Sequence, residues 1–182
     1  MTYQVIVEPY NPEWPRHFER LAGVLWPAVS DHALTIEHVG STSVPGLAAK
    51  PLIDIDIVIE DMSRLPAMIA ALAALGYEHR GNQGIVDREA FKRADAEVRH
   101  NLYVCPKNSI ALRNHLCLRD ALRTNPALRD EYARLKQSLA VKYPTSIADY
   151  IDGKTDFVLG ILAQHGFGPD RLDEIRKANR PT

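Results

Sequence analysis

Residues 37–60 read Glu37-His38-Val39-Gly40-Ser41-Thr42-Ser43-Val44-Pro45-Gly46-Leu47-Ala48-Ala49-Lys50-Pro51-Leu52-Ile53-Asp54-Ile55-Asp56-Ile57-Val58-Ile59-Glu60. From Leu52 to Glu60 the residues alternate, with Ile53, Ile55, Ile57 and Ile59 on one face and Asp54, Asp56, Val58 and Glu60 on the other. That is the two-residue period of a strand, and it predicts a half-buried one with the isoleucines on the core. Upstream, Thr35–Val39 is a second strand candidate that runs straight into the small-residue loop Gly40–Gly46. A strand, a loop of this composition and a second strand set the frame for the rest of the chain.

Working outward, Val5-Ile6-Val7 is a first strand or extended arm, followed by the turn-rich Pro9-Tyr10-Asn11-Pro12. Trp14, Phe18, Leu21, Leu25 and Val29 recur at helical spacing, with Pro27 expected to end or bend that helix. Ser63 and Pro66 suit the first turn of a helix whose stripe is Leu65, Ile69, Leu72 and Leu75, capped by Gly76. Tyr77–His79, Ile85–Lys92 and Val98–Cys105 are further strand candidates, the last two joined as a hairpin by Ala94–Glu97. Beyond Pro106 the pattern is helical: Ile110–Arg123, then a helix carrying Leu128, Tyr132, Leu135 and Leu139, then one carrying Ile147, Ile151, Lys154, Val158 and Ile161. The fold class is α/β of the α+β kind. One domain over residues 1–168 is expected, followed by a charged, peripheral tail at 169–182.

Composition narrows the function. The 182 residues are 46% hydrophobic and 25% charged, with 22 Lys and Arg against 23 Asp and Glu. No net basic field draws in a nucleic-acid backbone, although Arg113, Arg119, Arg123 and Arg129 would make a local basic patch if they shared a face. Cys105 and Cys117 lack the close spacing of a structural zinc site and are expected as reduced thiols. Neither a signal peptide nor an apolar run of membrane-spanning length is visible, so a soluble, cytoplasmic protein with no membrane partner is expected.

Asp54 and Asp56 lie on one strand face, roughly 7 Å apart along it by strand rise, close enough to share divalent cations. Magnesium suits them, because hard cations take carboxylate oxygens and fill their shell with phosphate and water. Taken alone, an Asp-x-Asp pair is more often the solvated face of an amphipathic strand. Gly40-Ser41 lets main-chain N–H groups approach a phosphate, and Thr42 and Ser43 extend that donor-rich surface; an ordinary tight turn uses the same residues. A Walker-type loop is excluded, since five residues separate Gly40 from Gly46 and no lysine follows Gly46. Lys50 stands just ahead of the carboxylate strand, as a phosphate clamp or as a solvated loop lysine. Lys154, inside an apolar helical stripe, either points into a site or snorkels to solvent.

Glu37 through Pro51, leading into Asp54-Ile55-Asp56, closely resembles the signature of GrpB-like proteins, a branch of the nucleotidyltransferase superfamily. Tyr10-Asn11-Pro12-Glu13-Trp14-Pro15 resembles the family's opening, and Leu118–Arg123 with Tyr132, Leu135-Lys136 and Lys154 resembles its helical half. The resemblance implies a mixed β-sheet flanked by helices, with a helical C-terminal part. It also implies a Gly-Ser loop that grips a nucleoside triphosphate, and Asp54 and Asp56 holding Mg²⁺ or Mn²⁺ during transfer of a nucleotidyl group to an unspecified small-molecule or protein acceptor. The superfamily's third carboxylate has no counterpart on Arg99–Val104; Glu89, Asp95 and Glu97 flank that strand, either as substitutes for the missing acid or as solvated hairpin residues. Of the histidines the family carries there, this chain keeps His100, a catalytic candidate, with Asn101 and Tyr103 at the other positions. Two alternatives therefore stand beside an enzyme: a non-catalytic nucleotide-binding or sensing module, and a structural partner domain like those fused to a coenzyme A biosynthetic kinase.

Overall fold

Isoleucine-rich β2 (Ile53–Ile59) lies between β1 (Ala33–Val39), antiparallel to it, and β5 (His100–Pro106), parallel to it. Strands β4 (Glu89–Lys92) and β3 (Glu78–His79) extend the sheet beyond β5, giving the order β1-β2-β5-β4-β3. A computed structural model describes residues 4–179; residues 1–3 of the expected domain and 180–182 of the expected tail lie outside the described residues.

One face of the sheet carries the main core. The four isoleucines of β2 are at most 1% exposed and pack against Leu25 and Val29 of α1 (Glu13–Val29) and Met68 and Leu72 of α2 (Leu65–Ala74). Helix α1 continues two residues past Pro27, because Val29 is fully buried against the sheet and tertiary packing outweighs the local cost of proline.

The opposite face is covered as well, which corrects the half-buried reading of β2. Asp56 and Val58 are buried, and Val58 joins Cys105 of β5 and Ala111 and Leu112 of α3 (Ile110–Thr124) in a second apolar layer. Alternation in sequence reports which face is apolar; it does not report what lies over the other. The strand expected from Ile85 starts only at Glu89, since Gln83 and Asp87 take positive φ and residues 85–88 turn.

Helices α3, α4 (Pro126–Lys142), α5 (Ile147–Gln164) and α6 (Pro169–Asn179) form the C-terminal part. Ser109, Asn125 and Ser146 cap the first three, each accepting a hydrogen bond from a backbone N–H of its helix's first turn. Their core takes in Val44 and Leu47 of the loop, both fully buried, and Leu172 and Ile175 of α6, so the charged segment from Pro169 packs through its few apolar residues. No helix among the described residues is long and apolar enough to cross a membrane.

Candidate functional site

The loop that follows β1 is tied down from behind. Arg123 donates from Nε and Nη2 to the Ser43 carbonyl at 3.0 and 2.7 Å, Arg129 donates to the Pro45 carbonyl at 3.3 Å, and Lys136 donates to the Ala48 carbonyl. Arg119 bridges from Nη1 to Glu37 at 2.8 Å and to the His38 carbonyl at 3.2 Å. Arg113 reaches the carbonyls of His165 and Gly166. The arginines expected as a possible basic patch are thus bound to internal carbonyls, and all but Arg113 hold the loop and β1.

Thr42 and Ser43 are buried, and their hydroxyls are used by the loop and the chain on either side of it. Thr42 Oγ1 donates to the Leu52 carbonyl at 3.2 Å, so it accepts the proton of His38 Nε2 at 3.1 Å. His38 is therefore neutral with its proton on Nε2, and burial, with Arg123 and Arg119 nearby, pushes its pKa down to about 4. Ser43 Oγ donates to the Gly40 carbonyl at 2.6 Å. Ser41, by contrast, lines two adjoining cavities. Gly40 has φ +68°, and a Cβ there would stand 2.9 Å from Cβ and Cγ of Asp54 and closer still to Oδ2. The loop and the carboxylate strand meet at a contact that only glycine allows.

Asp54 and Asp56 share the face opposite the isoleucines. Asp54 Oδ1 accepts from Asn101 Nδ2 at 2.7 Å; burial raises its pKa, opposed by the Asn101 bond and by the charges of His115 and Lys154. Asp56 Oδ2 accepts from His115 Nδ1 at 2.7 Å, while its Oδ1 is buried without a partner. Burial disfavours a charged His115, yet the charge of Asp56 and the hydrogen bond to it outweigh burial and leave the pKa raised. His115 and Asp56 thus form a buried imidazole–carboxylate hydrogen bond.

The first cavity, about 170 Å³, is lined by Ser41, Lys50, Asp54, Lys136, Tyr150 and Lys154, among others. It brings the loop, one carboxylate and three lysines together. Lys136 is 1% exposed, and burial, with Lys154 near it, pushes its pKa down to about 6. The second cavity, about 200 Å³, lies across Ser41, Asp54 and Lys154, which line both.

His100 is not brought to this site. In the parallel pairing of β2 and β5, His100 registers with Ile53, while Asn101 and Tyr103 register with Asp54 and Asp56. His100 therefore points with the isoleucines; it donates from Nδ1 to the Val98 carbonyl and accepts from Tyr77 Oη, both at 2.7 Å. Glu89 pairs with Val104, also on that face, and bonds His79 at 2.6 Å, while Asp95 and Glu97 are exposed. None of the three supplies the missing acid.

The imidazole beside the carboxylates is His115, on α3. It stands three residues after buried Leu112, a spacing that places both on one helix face. Lys136 was also legible: with Tyr132 and Leu139 it sits inside an apolar stripe, as Lys154 does.

Among the described residues no group of three or more His, Cys, Asp and Glu is disposed to hold a metal ion. The two aspartates nonetheless suit a hard divalent cation. Each carries one oxygen outside the bonds to Asn101 and His115, and magnesium sites commonly use one or two carboxylates with water and phosphate completing the shell.

Comparison with known proteins agrees with this architecture. The chain is 38% identical over 154 residues to UPF0157 protein BH1888 of Halalkalibacterium halodurans, covering 84% of this chain and 78% of that one. It is 35% identical over 153 residues to UPF0157 protein YqkA of Bacillus subtilis, covering 82% of this chain but only 43% of that longer protein. The crystal structure of GrpB from Enterococcus faecalis superposes with a TM-score of 0.77 at 32% identity, over 94% of this chain and 98% of that one. A structure of the Cid1 poly(U) polymerase with Mg and 3′-dATP bound matches at TM-score 0.52 and 15% identity, over 84% of this chain and 49% of that one, a likeness of fold alone. The mixed sheet and helices are thus nucleotidyltransferase-like. With the model of the GrpB protein family matching residues 4–164, the stretch that contains the loop, both aspartates and all three lysines, the chain belongs to the GrpB family.

Proposed function

We propose that this chain is a magnesium- or manganese-dependent nucleotidyltransferase, transferring a nucleotidyl group from a nucleoside triphosphate to a small-molecule or protein acceptor. The observation that carries the reading is the first cavity, where Ser41 and three lysines converge on Asp54. Ser41 and the loop backbone receive phosphate oxygens, Lys50 and Lys154 balance the triphosphate charge, and Lys136 braces the loop through the Ala48 carbonyl. Asp54 and Asp56 would hold the cation, which when bound would supply charge stabilisation to the reacting oxygens. Asp54 touches both cavities, so the cation it would hold stands between nucleotide and acceptor, and the acceptor's proton passes to water. The acceptor oxygen forms a bond to the α-phosphorus. The bond to the bridging oxygen breaks, and pyrophosphate leaves with that electron pair.

A second reading, nucleotide sensing without turnover, is favoured by one observation: Asn101 and Tyr103 of β5 face the aspartates where a third acid would stand. Calorimetric titration of each nucleoside triphosphate with magnesium, into wild type and Asp54→Asn, separates these readings. The transferase reading expects tight binding to wild type, at least tenfold weaker binding to Asp54→Asn, and pyrophosphate release when acceptors are supplied. Binding without release against a broad acceptor pool supports the sensor. Absence of binding removes both.

A further inference from the structure

The second cavity differs in character from the first. Its walls include Arg88, Tyr103 and His115 together with apolar Val39, Leu118 and Leu122. Most of its charged groups are already satisfied: His115 is spent on Asp56, and Arg119 on Glu37 and Asp120. Arg88 is not. Its guanidinium lies over the Tyr103 ring at 4.4 Å, and its Nε is buried with no hydrogen-bond partner. Stacking occupies the face of a guanidinium and leaves the N–H edge available, and that edge matches a carboxylate or phosphate bidentately. A buried donor of this kind without a partner is uncommon in a settled interior, and because Nε has no exposed surface, a ligand in the cavity would meet this guanidinium at its Nη groups. Residues 85–88 turn rather than continue β4, and that turn leads Arg88 to the cavity wall.

We propose that this cavity is the acceptor pocket, and that the acceptor is a small compound bearing a carboxylate or phosphate group, clamped by Arg88 while its less polar part rests on Val39, Leu118 and Leu122. The assignment rests on the transferase reading, because Asp54, Ser41 and Lys154 form the boundary across which acceptor and nucleotide meet. The anion on Arg88 fixes the acceptor's far end and leaves its hydroxyl toward Asp54.

Malonate and inorganic phosphate serve as probes, titrated into the full chain with and without saturating magnesium and α,β-methylene-ATP. The expected result is binding of malonate, phosphate or both that persists with the nucleotide analogue present. It weakens at least tenfold in Arg88→Met and, independently, in Leu118→Trp, which fills the cavity without altering charge. Both variants should bind the analogue within twofold of wild type, which also reports that they are folded. Arg88→Lys should recover only part of the affinity, since a point charge lacks the fork; whichever of malonate and phosphate shows the larger Arg88 dependence identifies the group. Equal anion binding in wild type and Arg88→Met, or none in either while the analogue binds, overturns the acceptor pocket and leaves the nucleotide reading intact. Arg88-dependent anion binding without any nucleotide binding overturns the transferase reading and supports the anion site alone.

Discussion

Replacing Gly40 by alanine tests the junction on which the site is built. The perturbation has two parts. The backbone at Gly40 has φ 68° and ψ −173°, a region essentially reserved for glycine, and forcing alanine into it costs on the order of 1–3 kcal/mol. The new methyl would also stand 2.9 Å from Cβ and Cγ of Asp54 and nearer to Oδ2, so the carboxylate must turn away and give up the Asn101 bond, a loss of about 1 kcal/mol. Together these predict destabilisation of about 2–4 kcal/mol, or a melting point lowered by roughly 4–16 °C for a chain of this size. Thermal melts of Gly40→Ala, Asp54→Ala and the double variant measure both parts. Because Asp54→Ala removes the oxygens that the methyl strikes, the two changes should be non-additive by about 1 kcal/mol, with the double variant more stable than the sum predicts. Strict additivity would refute the claim that loop and carboxylate are in contact. A loss below about 0.5 kcal/mol in Gly40→Ala would refute the backbone part.

Arg123→Met removes two bonds to the Ser43 carbonyl and should cost about 2 kcal/mol by denaturant titration. It should also weaken nucleotide binding severalfold although Arg123 lines neither cavity; unchanged affinity would show that the loop needs no staple. His38 has a folded pKa of about 4 against an ordinary 6.5, so its contribution is complete above pH 6.5 and is lost as pH falls toward 4, a total of about 3 kcal/mol. Urea midpoints across that range should fall more steeply in wild type than in His38→Gln, and parallel curves would count against the buried neutral imidazole. Lys136, ordinarily near 10.5 and held near 6, penalises the folded state most below pH 6 and not at all above 10.5. Lys136→Met should therefore stabilise the protein by about 1–4 kcal/mol at pH 7, by a margin that shrinks as pH rises, while binding of magnesium nucleotide weakens about tenfold. A destabilised variant that still binds nucleotide would reverse that assignment.

The parts of the site that lie within one stretch of sequence were legible, and those that meet only through tertiary packing were not. The Ile–Asp alternation announced β2, and Gly40-Ser41 announced a backbone that something approaches closely. The same alternation misled about burial, because nothing in residues 52–60 encodes the arrival of α3 over Asp56. His115 is 59 positions from Asp56 and entered from a helix whose pattern reads as ordinary packing. Kinship points to His100, but one position along a strand exchanges the faces, and only the pairing of Ile53 with His100 decides which it takes. Arg119, Arg123 and Arg129 suggest surface charge when counted, yet their guanidinium groups turn inward to carbonyl oxygens.

Ser41, Asp54 and Lys154 form a party wall between two chambers. On the proposed assignment, a ligand in either chamber meets the same three side chains, so each one's occupancy is felt by the other through shared residues rather than through a distant rearrangement. Thermodynamics then fixes a symmetry: the factor by which nucleotide changes anion affinity must equal the factor by which the anion changes nucleotide affinity. If Lys154 serves the nucleotide as proposed, it pushes that factor below one. An ammonium drawn to a triphosphate is withdrawn from the other chamber, which makes the two ligands competitors for one charge even where they never touch.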